Sequence, residues 1–467
     1  MVTRGATWSA GRIFFNTLDG DAIALDAASG RELWRTHLAD IQKGETVTMA
    51  PLVVHDKVLV GNSGGEFGVR GWLAALSTDD GHIAWKAFST GPDKDVLIGD
   101  DFKPFYESDR GKDLGIESWP PDAWKIGGGA VWGWISFDPA RNLIYYGTSN
   151  PSPWNAEVRD GDNKWTAGLF ARDADSGAAK WFYQFSPHDL FDYDAINESL
   201  LLDLPFDGKE REVLLRAERN GYVYIIDRGS GEVLAADPFS PVNSTQGVDL
   251  KTGRIRYAPD KVPQTGKVVR GICPTAPGAK DWNPSAFSPA TGLVYIPHMN
   301  LCMDWQSEPP NYIAGTPYLG AEVRMYAGPG GMRGELLAWD PIARKPAWRV
   351  AEDLPLFSGA LATGGDLVFY GTLDGWFKAA DARTGEIRWS FPTGSGIIGQ
   401  PISYRAPDGR QYIAVLSGVG GWGGAIVVGN LDPRDATGAK GMVGATGDLK
   451  SRTQRGGTLY VFALPSS

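Results

Sequence analysis

Apolar positions along the chain come in short runs that alternate with polar ones at the period of a strand. Gly11-Arg-Ile-Phe-Phe-Asn-Thr-Leu-Asp19-Gly20 is one such run, and Gly365-Asp-Leu-Val-Phe-Tyr-Gly-Thr-Leu-Asp374-Gly375 closely echoes it. Asp-Gly after an apolar run is a hairpin signal. A second frame follows, in which Asp, Gly and Trp recur at fixed spacing: Asp26, Gly30, Trp34; Asp173, Gly177, Trp181; Asp381, Gly385, Trp389. Ser77, Gly81 and Trp85 keep the Gly and Trp, whereas Asp340 and Trp348 flank Arg344 in the Gly place. Asp227–Gly231 and Asp249–Gly253–Tyr257 are weaker copies. Each unit reads as strand, tight turn, strand ending in Asp, second turn, and strand carrying Trp. The interval from Ser77 to Asp173 reads as two units.

A period of roughly 40–50 residues built of antiparallel strands predicts propeller blades, whose sheets bury their faces only by stacking. The recurring Trp is then a packing wedge between blades. Residues 92–125 and 303–334 fall outside the repeat as long polar loops, expected to decorate one face. No linker divides the chain, so a single propeller unit is expected over residues 1–467.

Composition agrees with this pattern. Of 467 residues, 61 are Gly and 18 are Trp, which suits short strands and tight turns. Apolar residues at 42% and charged residues at 21% exclude bulk disorder. No apolar run is long enough to cross a membrane as a helix. A net charge of −10 argues against a nucleic-acid partner. The beginning, Met1-Val2-Thr3-Arg4, enters a strand pattern with no signal-peptide features. Cys273 and Cys302 are too far apart for a Cys-x-x-Cys metal or haem motif. They read either as two thiols or as one disulfide.

Candidate chemistry lies in acids and amides set among glycines. Glu66 stands in Ser63-Gly64-Gly65-Glu66-Phe67-Gly68, where backbone can approach closely. Gly127-Gly128-Gly129-Ala130-Val131-Trp132 would let a flat group lie on an indole. Asn150 ends a strand in Gly147-Thr148-Ser149-Asn150, and Asp192 and Asp194 share one side of an extended segment. Two like charges on one side repel unless a cation lies between them. Glu66, Asn150, Asp192 and Asp194 together make a hard-oxygen set suited to a large hard cation. No His cluster, nucleophile elbow or phosphate loop is present.

These segments, together with Gly-Pro-Asp-Lys-Asp, Asp-Ala-Trp-Lys-Ile-Gly-Gly-Gly, Trp-Gly-Trp and Pro-His-Asp-Leu-Phe-Asp-Tyr-Asp, resemble the pyrroloquinoline quinone (PQQ)-dependent alcohol dehydrogenases of the methanol/ethanol dehydrogenase family. The resemblance covers essentially the whole chain. It implies an all-β, eight-bladed propeller of four-stranded antiparallel blades with Trp-docking motifs, here without part of the N-terminal blade region. It implies oxidation of primary alcohols to aldehydes, with PQQ and a metal ion as cofactors and cytochrome c as acceptor. Asp192 resembles the catalytic Asp, Trp132 the Trp beneath the quinone, and Glu66 and Asn150 the metal ligands. Ser63, Gly64, Gly65, Arg4 and Thr48 resemble the groups that hold the cofactor carboxylates, with Glu66 beside them. Arg219 resembles the Arg on the quinone oxygens, and Asn283, in Asp281-Trp282-Asn283-Pro284, a cofactor-contacting amide.

Asp194 resembles the second Asp of lanthanide-type members, so La³⁺ or Ce³⁺ is favoured over Ca²⁺. An added carboxylate supplies both an oxygen and a charge for a trivalent ion. The resemblance also implies a Cys273–Cys302 disulfide, a periplasmic location and a homodimer. The family's vicinal Cys-Cys pair and signal peptide fall before the segment matching Val2-Thr3-Arg4. Ala130 stands where methanol enzymes carry Thr, and Phe357 replaces an aromatic that is often Trp. The readings set against this one are a calcium enzyme for bulkier alcohols and a non-catalytic propeller.

Overall fold

The computed structural model describes residues 3–464, so Met1 and Val2 of the N-terminal reading lie outside the described residues. The chain is all-β, built of antiparallel sheets that follow one another along the sequence. The first blade is Ala6–Ser9, Arg12–Asn16, Asp21–Asp26 and Glu32–His37; the second is Leu52–Val54, Lys57–Gly61, Trp72–Ser77 and Ile83–Phe88. The third is Ile135–Asp138, Leu143–Gly147, Gly168–Asp173 and Ala179–Gln184; the fourth is Leu200–Phe206, Lys209–Ala217, Tyr222–Asp227 and Val233–Pro238. The fifth is Ala286–Ser288, Leu293–Met299, Gly334–Asp340 and Lys345–Glu352; the sixth is Leu361–Ala362, Leu367–Gly371, Trp376–Asp381 and Ile387–Pro392. A seventh sheet has three strands, Ile402–Arg405, Gln411–Ser417 and Thr458–Phe462. The described residues thus form six four-stranded blades and one three-stranded blade, where the expectation was an eight-bladed propeller without part of its N-terminal blade region.

The repeat is visible in the pairing register. In each four-stranded blade the third and fourth strands slip by one residue just before the repeat's Asp or Ser, at Ala24/Leu25, Ala75/Leu76, Ala171/Arg172, Ile225/Ile226, Ala338/Trp339 and Ala379/Ala380. A bulge there sharpens the twist and delivers the turn to the neighbouring blade. The Gly of one repeat meets the Trp of the repeat before it. A Cβ on Gly81, Gly177, Gly231 or Gly385 would lie 2.6–2.7 Å from the ring of Trp34, Trp85, Trp181 or Trp348 respectively, and all four glycines have positive φ. The indole N–H groups of Trp34, Trp181 and Trp348 donate to the carbonyls of Thr78, Arg228 and Ala382 at 3.0–3.1 Å. Apolar clusters fill the six interfaces between consecutive blades. Trp181→Ala is expected to cost about 3–5 kcal/mol, the range for large aromatics removed from cores. Denaturant unfolding measures it, and an unchanged midpoint would refute the wedge role.

Three expectations are corrected. The interval from Ser77 to Asp173 holds one blade and a long insertion of short helical turns, among them Asp93–Val96 and Leu114–Glu117, and not two units. The weak copy at Asp249 is half of a separate two-stranded hairpin, Thr245–Asp249 with Arg254–Tyr257. The loop expected over 303–334 contains most of an accessory hairpin, Leu301–Ser307 with Ala321–Ala327, extended by Val268–Ile272. Its reason is alternation: Leu301, Met303, Trp305, Val323 and Met325 are buried in one further apolar cluster. That cluster lies beside the segment Leu190–Tyr193 and so supports the candidate site.

Cys273 and Cys302 form a disulfide with Cα atoms 4.4 Å apart, joining the strand Leu301–Ser307 to the segment after Val268–Ile272. Reduction is expected to cost about 2–4 kcal/mol through the loop it closes. Thermal unfolding with and without reductant tests this, and coincident curves would refute it. No helix among the described residues is long and apolar enough to cross a membrane.

Candidate active site

A cavity of about 230 Å³ gathers most of the residues singled out from sequence: Arg4, Thr48, Ser63, Gly64, Glu66, Trp132, Asp192, Asp194 and Arg219. They come from the starts or ends of several blades. Gly64 has φ 121°, and a Cβ there would fall 2.4 Å from the carbonyl oxygen of Gly44. Only glycine permits this turn, and the turn places Glu66 in the short helical segment Gly65–Phe67. Asp192 has φ 67°. It is held there by the buried Asp189, whose Oδ2 accepts from the backbone N–H of Phe191, Asp192 and Tyr193 at 3.3, 2.8 and 3.1 Å. A non-glycine residue in this region is strained, and such strain persists only where its surroundings over-determine it.

The cavity is divided by charge. On one side the Arg4 guanidinium donates to Thr48 Oγ1 at 2.7 Å, and Thr48 Oγ1 shares a hydrogen bond with Ser63 Oγ at 2.6 Å. Arg4 lies 4.4 Å from the centre of the Trp132 ring and Arg219 lies 5.6 Å from it. Burial lowers the Arg4 pKa to about 10, with Asp281 opposing and Arg219 adding to the shift. On the other side stand Glu66, Asp192 and Asp194. Arg219 links the two aspartates to Asp281: its guanidinium is 3.4 Å from Asp192 Oδ2, 3.1 Å from Asp194 Oδ2 and 2.8 Å from Asp281 Oδ1. Burial and mutual repulsion push the Asp192 carboxyl far above its usual range. Burial raises Asp194 as well, with Glu66 adding and Arg219 opposing. Burial also acts upward on Glu66, but the Lys440 ammonium, 3.6 Å from its Oε1, helps hold it below the usual value.

Asn150 and Asp194 are tied directly, since the Asn150 backbone N–H donates to Asp194 Oδ1. The Asn150 side-chain N–H donates to Pro151 O at 3.1 Å, which leaves its Oδ1 free to accept. Asn150 Oδ1 and Asp192 Oδ1 are both buried without a hydrogen-bond partner. Orphaned oxygens beside crowded carboxylates are the signature of a hard-cation position. Among the described residues no three Asp, Glu, His or Cys side chains could by themselves hold a metal ion. The candidate donor set combines the Asn150 amide oxygen with the carboxylates.

The structure sets Asn283 apart from the cavity lining. Its amide donates to Pro297 O at 2.7 Å and Leu356 O at 3.3 Å, and its Oδ1 accepts from the Asp281 N–H at 3.2 Å. Asn283 thereby braces Asp281 and Trp282, which do line the cavity. Gly65 and Asn150 lie just behind the lining: a Cβ on Gly65 would be 3.8 Å from Asn150 Oδ1. The sequence reading missed Asp281, Trp282, Ile398, Trp422 and Lys440 as lining residues. Asp281 and Trp282 adjoin Asn283 in a segment already noted, whereas the turn bearing Lys440 carries no motif. Phe357, Ile398 and Trp422 give the cavity an apolar wall.

Residues 10–246 and 334–413 match the family described as glucose/ethanol/alcohol dehydrogenase, beta-propeller domain, under the heading PQQ. The chain is 48% identical to the lanthanide-dependent methanol dehydrogenase of Methylacidiphilum fumariolicum (strain SolV), over 99% of this chain and 77% of that protein. It is 43% identical to methanol dehydrogenase [cytochrome c] subunit 1 of Methylorubrum extorquens, over 96% of this chain and 72% of that protein. Among solved structures, a europium-containing methanol dehydrogenase superposes with a TM-score of 0.97 at 48% identity, covering 99% of this chain and 81% of its own.

Proposed function

The chain belongs to the PQQ-dependent glucose, ethanol and alcohol dehydrogenase family, and on that footing we propose that it oxidises small primary alcohols to aldehydes, with PQQ and a lanthanide ion as cofactors and a cytochrome c as electron acceptor. The observation that carries this reading is the division of one cavity into an anion-receiving side and a cation-receiving side. Arg4, Thr48 and Ser63 suit the carboxylates of PQQ, Arg219 its quinone oxygens, and Trp132 offers a flat face beside them. Glu66, Asn150, Asp192 and Asp194 would hold the metal ion. When bound, PQQ supplies the two-electron acceptor and the metal a Lewis acid.

The protein's own part is proton transfer, orientation and exclusion of water. Asp192 takes the alcohol hydroxyl proton on its carboxylate, which lines the cavity. Arg219 fixes the carboxylate from behind, donating to the Asp192 carbonyl at 2.8 Å as well as facing Oδ2. Phe357, Ile398 and Trp422 receive the alkyl group and keep water from the reacting carbon. The relatives' names support the lanthanide and the cytochrome c. The disulfide supports an oxidising compartment, the periplasm in our reading.

The test is to titrate the purified chain with PQQ and either La³⁺ or Ca²⁺, following quinone absorbance and dye-linked ethanol oxidation. Binding and turnover are expected with La³⁺ and weaker turnover with Ca²⁺. Absence of quinone binding with both ions would overturn the reading.

A further inference from the structure

Among the described residues, Lys440 is the one cation that pairs with Glu66 on the metal side of the cavity. Arg219 is committed to Asp192, Asp194 and Asp281, and Arg4 to Thr48 and the Trp132 and Trp282 rings. The Lys440 ammonium stands 3.6 Å from Glu66 Oε1, with the Trp154 and Trp422 rings 5.4 and 6.0 Å away. Its position is built in. The adjoining Gly441 has φ 93°, leaves no room for a Cβ against Val323 O, and accepts the Met325 N–H at 3.1 Å. The accessory hairpin thus clamps the turn that carries the lysine. The nearby acceptors Asn150 Oδ1 and Asp192 Oδ1 have no partner, so the ammonium satisfies neither.

We propose that Lys440 is a tethered counter-ion of the metal site, which holds Glu66 while the site is free of metal and lowers its affinity for trivalent ions more than for divalent ones. The inference rests on the metal-site reading above. Two effects run the same way. Metal must displace the ammonium from Glu66, and the bound ion is then repelled by the lysine in proportion to its own charge. Removing the positive charge therefore raises affinity for both ions. Repulsion contributes in a ratio of about 3:2, trivalent to divalent, and displacement contributes equally to both, so the logarithm of the trivalent gain exceeds the divalent one by less than half.

The test uses the full chain loaded with PQQ and stripped of metal. Tb³⁺ binding is read by luminescence sensitised through the cavity tryptophans, and Ca²⁺ binding by calorimetry. Lys440→Met and Lys440→Gln are expected to bind Tb³⁺ about tenfold tighter or more, with a smaller gain for Ca²⁺. Lys440→Arg, which keeps the charge, should match the wild type. Neutral variants that bind Tb³⁺ no tighter than wild type overturn the inference, as does Lys440→Arg behaving like Lys440→Met. A wild-type chain that binds neither ion overturns the metal-site reading itself, and the inference with it.

Discussion

Asp192→Asn is expected to lower kcat for ethanol oxidation by about 10²–10⁴-fold, the usual contribution of a positioned general base. The substitution is close to isosteric, and its single amide oxygen can face either the metal position or Arg219. What it removes is a basic oxygen. Asp192 Oδ1 has no partner in the protein, whereas Oδ2 faces Arg219 at 3.4 Å. Quinone absorbance and metal content are measured alongside and kcat is compared at full loading, so that the loss is read in the rate and not in cofactor occupancy. Wild-type turnover in a fully loaded Asp192→Asn enzyme would remove Asp192 from the proton-transfer role. Loss of PQQ or metal together with activity would assign it to binding instead.

Asp194→Ala should shift metal preference toward calcium, lowering the La³⁺-to-Ca²⁺ ratio of apparent affinities by about tenfold or more, because one anionic oxygen leaves a site that must balance three charges. The residue also accepts the Asn150 N–H and faces Arg219 at 3.1 Å, so its loss will loosen both. Asp194→Asn separates these roles. It keeps an oxygen for the Asn150 N–H and removes only the charge. If charge decides the preference, the two variants shift alike; if only Asp194→Ala shifts, the residue is a brace for Asn150. An unchanged ratio in both would refute a role for Asp194 in metal choice.

The blades could be read from sequence because their cause is local. Trp34, Trp85, Trp181 and Trp348 each meet a glycine of the next repeat, and the spacing that announces the contact is printed in the chain. Most of the cavity was legible for a different reason: Glu66, Trp132, Asp192 and Arg219 sit in motifs unusual enough to resemble a family. What escaped had no such marker. Lys440 reaches Glu66 only because distant strands bring a plain turn over the cavity. Asn283 stood in a recognisable motif, yet its donors are spent on Pro297 and Leu356 and its oxygen on Asp281. The hairpin inside 303–334 was hidden because prolines and glycines beside it outweighed the alternation of Leu301, Met303 and Trp305.

The Trp–Gly contacts also give the ring a direction. Four blades end on an indole, Trp34, Trp85, Trp181 and Trp348, that a turn of the following blade covers, so every such contact joins consecutive blades. The layers lie like roof tiles, each overlapping the last in the order of synthesis. A nascent chain can therefore lay them down one at a time, each new blade covering the face left by the one before it.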